Sequence, residues 1–299
     1  MNHHMCTSTS KTPPPTTPNA KTIYIIRHGV ASHNVPDYQT GERPDLLDPK
    51  YTDPSLIRQG ELQARVLGEH LRRRGLVASS GSIGNNSTSG VNENNIRPIE
   101  LVVCSPLTRC LQTASHIFPS YFNGSVEGIT SSSEQQCIFS RKKDHFGNRI
   151  HVLNGDSRVC CHGDVREAYG MHYPDKRSPL SQLNFNFPTV AYHPSLTEHD
   201  IDWKHDTRET RQDVSERVRN FFVWLLQQPH DNVAIVTHGV WMECALLDYC
   251  PEVLEFGRKR VYNCEVYFGT LALSGPWVDG SGGGGVELKN VHQMSLYQA

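Results

Sequence analysis

Three short apolar runs in this chain each break off at a basic group and a loop that leads into a helix. TIYIIRHG at 22–29 ends on Arg27, His28 and Gly29. ELVVCSPLTRC at 100–110 delivers Arg109 just after its apolar stretch, and VAIVTHG at 233–239 ends on His238 and Gly239. Such β-branched and aliphatic runs read as buried strands, and strands alternating with helices imply a largely parallel sheet covered on both faces. The expected fold class is therefore α/β, a three-layer α/β/α sandwich with an irregular lid insertion. In open α/β sheets ligands bind beyond the carboxyl ends of the strands. If the three strands are neighbours, two histidines and two arginines meet at one place.

Two guanidiniums present forked donors that match phosphate oxygens. An imidazole with one ring nitrogen unprotonated and the other held by an acceptor can attack phosphorus. Phosphoryl transfer needs mainly positioning and positive charge around the equatorial oxygens, which two arginines and a second histidine supply without a metal. Single His-Gly pairs say little in a chain with 16 His and 23 Gly, where about one pair is expected by chance. Of the pairs at His28, His162 and His238, the middle one follows no apolar run, whereas the outer two close strands on either side of the Arg109 segment.

The rest of the chain frames these segments. Residues 1–20 are rich in Thr and Pro and read as a disordered lead-in, followed by one domain over 21–299. A helix is expected over 58–74 with Leu62, Val66, Leu67 and Leu71 on one face, basic residues Arg72, Arg73 and Arg74 in its last turn, and Gly75 as a left-handed cap. Residues 78–95 are Ser, Asn and Gly with little to bury, a flexible insertion. A helix over about 106–117 follows the second strand. The stretch 120–205 shows no clear period and reads as the lid; within it, Asn184 to Phe187 alternate like a strand edge, and Arg141, Lys142 and Lys143 read as a solvated charge run. A helix over 211–228 buries Val214, Val218, Phe221, Phe222 and Leu225, another covers about 240–249, a strand is expected at 261–273, and the segment from 275 is loop or tail.

Composition narrows the function classes. A net charge of −2 argues against a broadly basic nucleic-acid binder. There is no apolar leader in the first twenty residues and no run of the ~20 apolar residues that a membrane span needs. Nine cysteines, an odd number with no C-x-x-C, read as reduced and mostly buried thiols of a cytoplasmic protein, the nucleus being the alternative. Neither a metal nor an organic cofactor is expected; the partner is a small phosphorylated substrate, with no nucleic acid and no membrane.

Together these motifs resemble the histidine phosphatase superfamily, the phosphoglycerate mutase-like proteins, over roughly residues 21–250. The resemblance rests on R-H-G at 27–29 with Asn34, SPLTRCLQTA at 105–114, VTHG at 236–239, and DPSLIRQGELQA at 53–64, where Ile57 replaces the usual Thr. It implies that His28 is the nucleophile, that Arg27, Arg109 and His238 form the phosphate pocket, and that Asn34 and Gly239 line it. Arg166-Glu167-Ala168-Tyr169-Gly170 looks like the family's acid element and nominates Glu167 as general acid and base. The following HYPDKRSPLSQLNFNFP resembles the eukaryotic phosphatase branch, in which the acid motif is followed by Asp175 and Arg177. What the resemblance implies is a metal-independent phosphomonoester phosphatase working through a phosphohistidine. A cofactor-dependent phosphoglycerate-type mutase is the alternative, disfavoured because its acid element reads E-R-H-Y-G and lies nearer the nucleophile. A catalytically silent interaction module is the other, disfavoured because the four basic pocket residues are all present.

Overall fold

In a computed structural model the described residues are 20–77, 97–122, 139–143, 149–153, 157–254, 260–274 and 285–295. The expected disordered lead-in, save for Ala20, and the 78–95 insertion lie outside them. The central sheet has seven strands, β1 (Lys21–Arg27), β2 (Leu101–Cys104), β5 (Val159–Cys161), β6 (Ala191–Tyr192), β7 (Asn232–Thr237), β8 (Val266–Ser274) and β9 (Gly285–Gln293), in the order β6-β5-β2-β7-β1-β8-β9. β3 (Phe139–Lys143) and β4 (Arg149–Leu153) form a separate antiparallel hairpin. The five strands from β6 to β1 run parallel, and β8 and β9 complete the sheet antiparallel.

Alternation along the strands divides the core into two layers. Ile23, Ile25, Leu101, Val103, Val233 and Ile235 face α5 (Arg211–Leu226) and α6 (Gly239–Tyr249). Tyr24, Ile26, Val102, Cys104, Ala234 and Val236 face α1 (Arg58–Arg73) and α2 (Thr108–Ile117). Two short helices, α3 (Pro119–Phe122) and α4 (Leu180–Asn186), complete the set. A buried Val, Leu, Ile or Phe contributes about 1.5–3 kcal/mol, so the two faces together dominate the stabilisation. The five residues expected on the buried face of α5 are all buried there. Gly75 closes α1 with φ +73°, donating to Arg72 O while Leu76 donates to Leu71 O.

Several expectations give way. Leu62 and Val66 are exposed; α1 turns Gly60, Ala64, Leu67, Gly68 and Leu71 inward, because small residues let it approach α2 closely. The 120–205 stretch is not merely irregular: β5 and β6 extend the central sheet on the side of β2, and the β3–β4 hairpin comes from the same stretch. Asn184 to Phe187 close the helix α4 instead of forming a strand edge, with Phe185 exposed. The segment after 275 supplies β9, an edge strand whose mostly exposed face hides its pairing potential from a search for apolar runs. Seven described cysteines are free and buried. Among the described residues no helix is long and apolar enough to cross a membrane.

One contact clamps the loop after β1. A Cβ on Gly60 would lie 2.1 Å from Val30 O, and one on Gly29 would lie 2.6 Å from Gly60 O. Two backbones therefore touch where side chains cannot fit. Gly60→Ala is expected to cost about 3 kcal/mol or more in chemical denaturation, whereas Gly163→Ala, with Leu196 Cδ2 at 3.5 Å, should change stability by less than about 1 kcal/mol. Equal effects at the two positions would contradict the close approach.

Candidate active site

The site follows from strand register. β7 lies between β2 and β1, with Arg27 opposite Thr237 and Cys104 opposite Val236. The residues that follow these strands, His28, His238 and Ser105, therefore emerge side by side at the carboxyl edge. His28 N donates to Thr237 O at 3.0 Å, and the two imidazoles stand edge to face with centroids 5.1 Å apart. Arg109 arrives from the first turn of α2. That helix start is capped from a distance: Asp53 accepts from Thr108 N and from Thr108 Oγ1, each at 2.8 Å. The loop after β1 is held by Gly29 N donating to Thr113 Oγ1 (3.0 Å) and Val30 N donating to Gln63 Oε1 (3.1 Å).

Arg109 is 1% exposed and joins the parts. Its Nε donates to His28 Nε2 at 3.3 Å, Nη1 to Pro174 O at 2.5 Å, and Nη2 to Asp175 Oδ1 at 3.0 Å, with His238 Nδ1 at 3.1 Å from the same nitrogen. Guanidinium has no acceptor, so both ring nitrogens it faces carry lone pairs. His28 Nδ1 is 2.7 Å from Gly29 O, which can only accept, so Nδ1 bears the proton and Nε2 is the unprotonated nitrogen. His238 has the opposite tautomer, with its Nε2–H donating to Ser105 Oγ at 2.7 Å. Burial, then the charges of Arg109 and Arg27, hold the His28 pKa well below the usual histidine range; burial and Arg109 do the same for His238. Both rings are neutral at pH 7.

Arg27, at the end of β1, donates through Nη1 to Val261 O, and its Nε is buried with no partner. Gly239 opens α6 against the same guanidinium, where a Cβ would come within 3.5 Å of Cζ. Glu167 is partly buried; Oε1 accepts from Ala168 N at 2.9 Å and Oε2 from Val240 N, in the first turn of α6, at 3.3 Å. Burial first, then the charge of Asp175, raise its pKa above the ordinary carboxylate value, against the opposing pull of its backbone donors and Arg109. The loop carrying it is pinned by buried Arg166, which donates to Asp200 at 2.9 and 2.6 Å and to Asp175 O at 2.9 Å. Arg217 on α5 adds bonds to the carbonyls of Asp164, Arg166 and Glu167.

The structure thus brings His28, Arg27, Arg109, His238, Gly239 and Glu167 to one edge. Asn34 stands differently: it is exposed, with Oδ1 accepting from Ala31 N (3.0 Å) and Nδ2 lying 3.0 Å from His33 Nε2. The motifs alone did not single out Ser105, His33 or Asn263, whose Nδ2 donates to His28 O at 2.8 Å. Nor did they assign a task to Asp175, which bridges Arg109 and Arg208 at 3.0 and 3.1 Å. Ser105 and His33 sit inside the two motifs that carried Arg109 and His28, so position within those motifs was the available signal; Asn263, far along the chain, left none.

The profile of the histidine phosphatase superfamily (branch 1) matches residues 188–278, which include β7 and His238. Phosphoglycerate mutase-like protein 1 of Arabidopsis thaliana is 29% identical over 252 residues, covering 82% of this chain and 79% of that protein. Phosphoglycerate mutase-like protein of the same organism is 24% identical, covering 82% of each. Over these spans the chain is similar to members of the histidine phosphatase superfamily. Among solved structures, the ecdysone phosphate phosphatase of Bombix mori in complex with tungstate aligns with a TM-score of 0.42 and 16% identity, over 88% of this chain and 96% of that one. In this chain the basic groups cluster where three adjacent parallel strands end, while Glu167, a carboxylate with a raised pKa, comes from the loop between β5 and α4.

Proposed function

We propose that this chain is a phosphomonoester phosphatase that acts on a small phosphorylated metabolite through a phosphohistidine at His28. The observation that carries the reading is the tautomer of His28: Nδ1–H is tied to Gly29 O, and the Nε2 lone pair faces the guanidinium of Arg109. In the first step Nε2 attacks phosphorus, the bond from phosphorus to the ester oxygen breaks, and Glu167 gives its proton to the departing oxygen. Arg27, Arg109 and the first turn of α6 at Gly239 offer donors to the three equatorial oxygens. In the second step the Glu167 carboxylate takes a proton from a water, the resulting oxygen attacks phosphorus, and the N–P bond breaks to return neutral His28 and release phosphate. Atoms and protons balance over the two steps, and no group outside the chain is consumed except water.

The two pKa directions suit this order. His28 must be unprotonated, and its pKa lies well below 6.5; Glu167 must be protonated at first, and its pKa lies above 4.5. Burial thus moves an imidazole down and a carboxylic acid up, which favours the state with both groups correctly charged. A mutase would share the first step and return the phosphoryl group to another hydroxyl of the sugar acid, so the fate of the phosphoryl group separates the two readings.

Purified protein is expected to release phosphate from p-nitrophenyl phosphate, with His28→Ala slower by about a thousandfold or more. Equal release by both proteins would overturn the reading, and isomerisation of a phosphoglycerate without phosphate release would replace it with the mutase. The dependence of kcat/KM on pH should be bell-shaped, rising as His28 loses its proton and falling as Glu167 loses its own. Asp175→Asn removes a negative charge that raises Glu167, so the falling limb should move to lower pH, with a lower plateau because Arg109 also loses a partner. A falling limb that stays put or moves up would exclude Glu167 as the group it reports.

A further inference from the structure

His33 sits next to the candidate nucleophile without a task in the reaction above. Its ring centroid is 6.1 Å from that of His28, and its Nδ1 is buried with no hydrogen-bond partner. Its other nitrogen, Nε2, lies 3.0 Å from Asn34 Nδ2. The orientation of that amide is dictated from the far side: Ala31 N, which can only donate, is 3.0 Å from Asn34 Oδ1. Reversing the amide would set a backbone N–H against an NH₂ group, so Nδ2 is the atom that faces His33. An NH₂ group donates, hence His33 Nε2 accepts. A neutral imidazole whose Nε2 accepts carries its proton on Nδ1. A cationic ring is ruled out by the same contact, since it would turn a second N–H onto the amide. The electrostatics agree, because burial, then Arg109 and Arg27, push the His33 pKa down to about 2.

The chain of bonds from Ala31 N through the Asn34 amide to Nε2 therefore leaves one committed, buried and unpaired donor beside His28, the His33 Nδ1–H. Among the described residues, Arg27 Nε is a second buried donor near His28 with no partner, and it too carries a hydrogen. Two desolvated donors and, among the described residues, no unpaired buried acceptor beside them suit a ligand rich in acceptor oxygens and lacking donors, which describes a phosphoryl dianion. We propose that His33 is a substrate-binding residue, its neutral Nδ1–H donating to a phosphoryl oxygen of the ester held against His28, and that Asn34 is the positioning residue that sets its tautomer. Asn34 then acts on the phosphate through His33. A donor that cannot ionise in the working range also adds no positive charge to the two guanidiniums already there. This assignment rests on the phosphatase reading for its substrate, but the tautomer and the anion contact can be measured without turnover.

Imidazole ¹⁵N NMR of the full-length protein tests both parts. His33 is expected to show a protonated Nδ1 and an unprotonated Nε2 from pH 6 to 8, and orthovanadate is expected to shift the Nδ1 signal. Asn34→Asp replaces the amide donor with an acceptor and should move the proton to Nε2. Vanadate inhibition of p-nitrophenyl phosphate hydrolysis supplies the energetic arm. His33→Phe keeps the ring volume without a donor and should weaken vanadate about tenfold to a hundredfold. His33→Asn, whose amide nitrogen can stand where Nδ1 stands, should regain most of that loss. A proton on Nε2 in the unaltered protein, an Nδ1 signal indifferent to vanadate, or a His33→Phe variant that binds vanadate as tightly as the parent would each overturn the proposal. Absence of hydrolysis by the parent protein overturns the phosphatase reading instead, and leaves the tautomer and vanadate-shift results to judge His33 on their own.

Discussion

Burying a guanidinium that cannot shed its charge requires acceptors on several sides at once, and Arg109 finds them on three separate pieces of chain. His28 comes from the end of β1, His238 from the end of β7, and Pro174 and Asp175 from the loop after β5, while Arg109 itself rides on α2. Each partner is thereby fixed relative to the others, and the tautomers of both histidines follow from which nitrogen Arg109 addresses. The loops beyond the sheet would otherwise be free to settle separately. Asp175 is pinned in turn by Arg208 and, through its carbonyl, by Arg166, which rests on Asp200. Alternating charge at short range is the organising device of this edge of the molecule.

That device also sets the chemistry. Positive charge and desolvation press down on His28, while Asp175 and desolvation push up on Glu167. The same aspartate that pairs with Arg109 thus also raises the pKa of a nearby carboxyl. In the proposed reaction one buried carboxylate would bear on both ends, on Arg109 beside the phosphate and on Glu167 as the proton donor.

The strand ends were legible in the chain because they repeat one pattern, an apolar run closing on a basic group, and the parallel register then places those ends together. Glu167 was legible only by resemblance, since its loop has no period to read. Other features escaped for physical reasons. The inward face of α1 is built from Gly60, Ala64 and Gly68, whose packing value lies in close approach; a Cβ on Gly68 would come within 2.8 Å of Ile117 O. Leu62 and Val66 look like the core stripe and are not. β5 and β6 span three and two residues, too short for alternation to register, and β9 is a polar edge strand. Asn34 was expected at the pocket wall, yet both its amide atoms are engaged, one by Ala31 and the other by His33.

The proposed chemistry places a covalent phosphoryl group on one nitrogen, His28 Nε2. Turnover of p-nitrophenyl phosphate quenched in alkali, which preserves phosphohistidine, followed by mass spectrometry of the digested protein measures it directly. The expected result is a single phosphate on the peptide that carries His28, absent from His28→Ala. Phosphate on the His238 peptide, or none on the protein during active turnover, would contradict it.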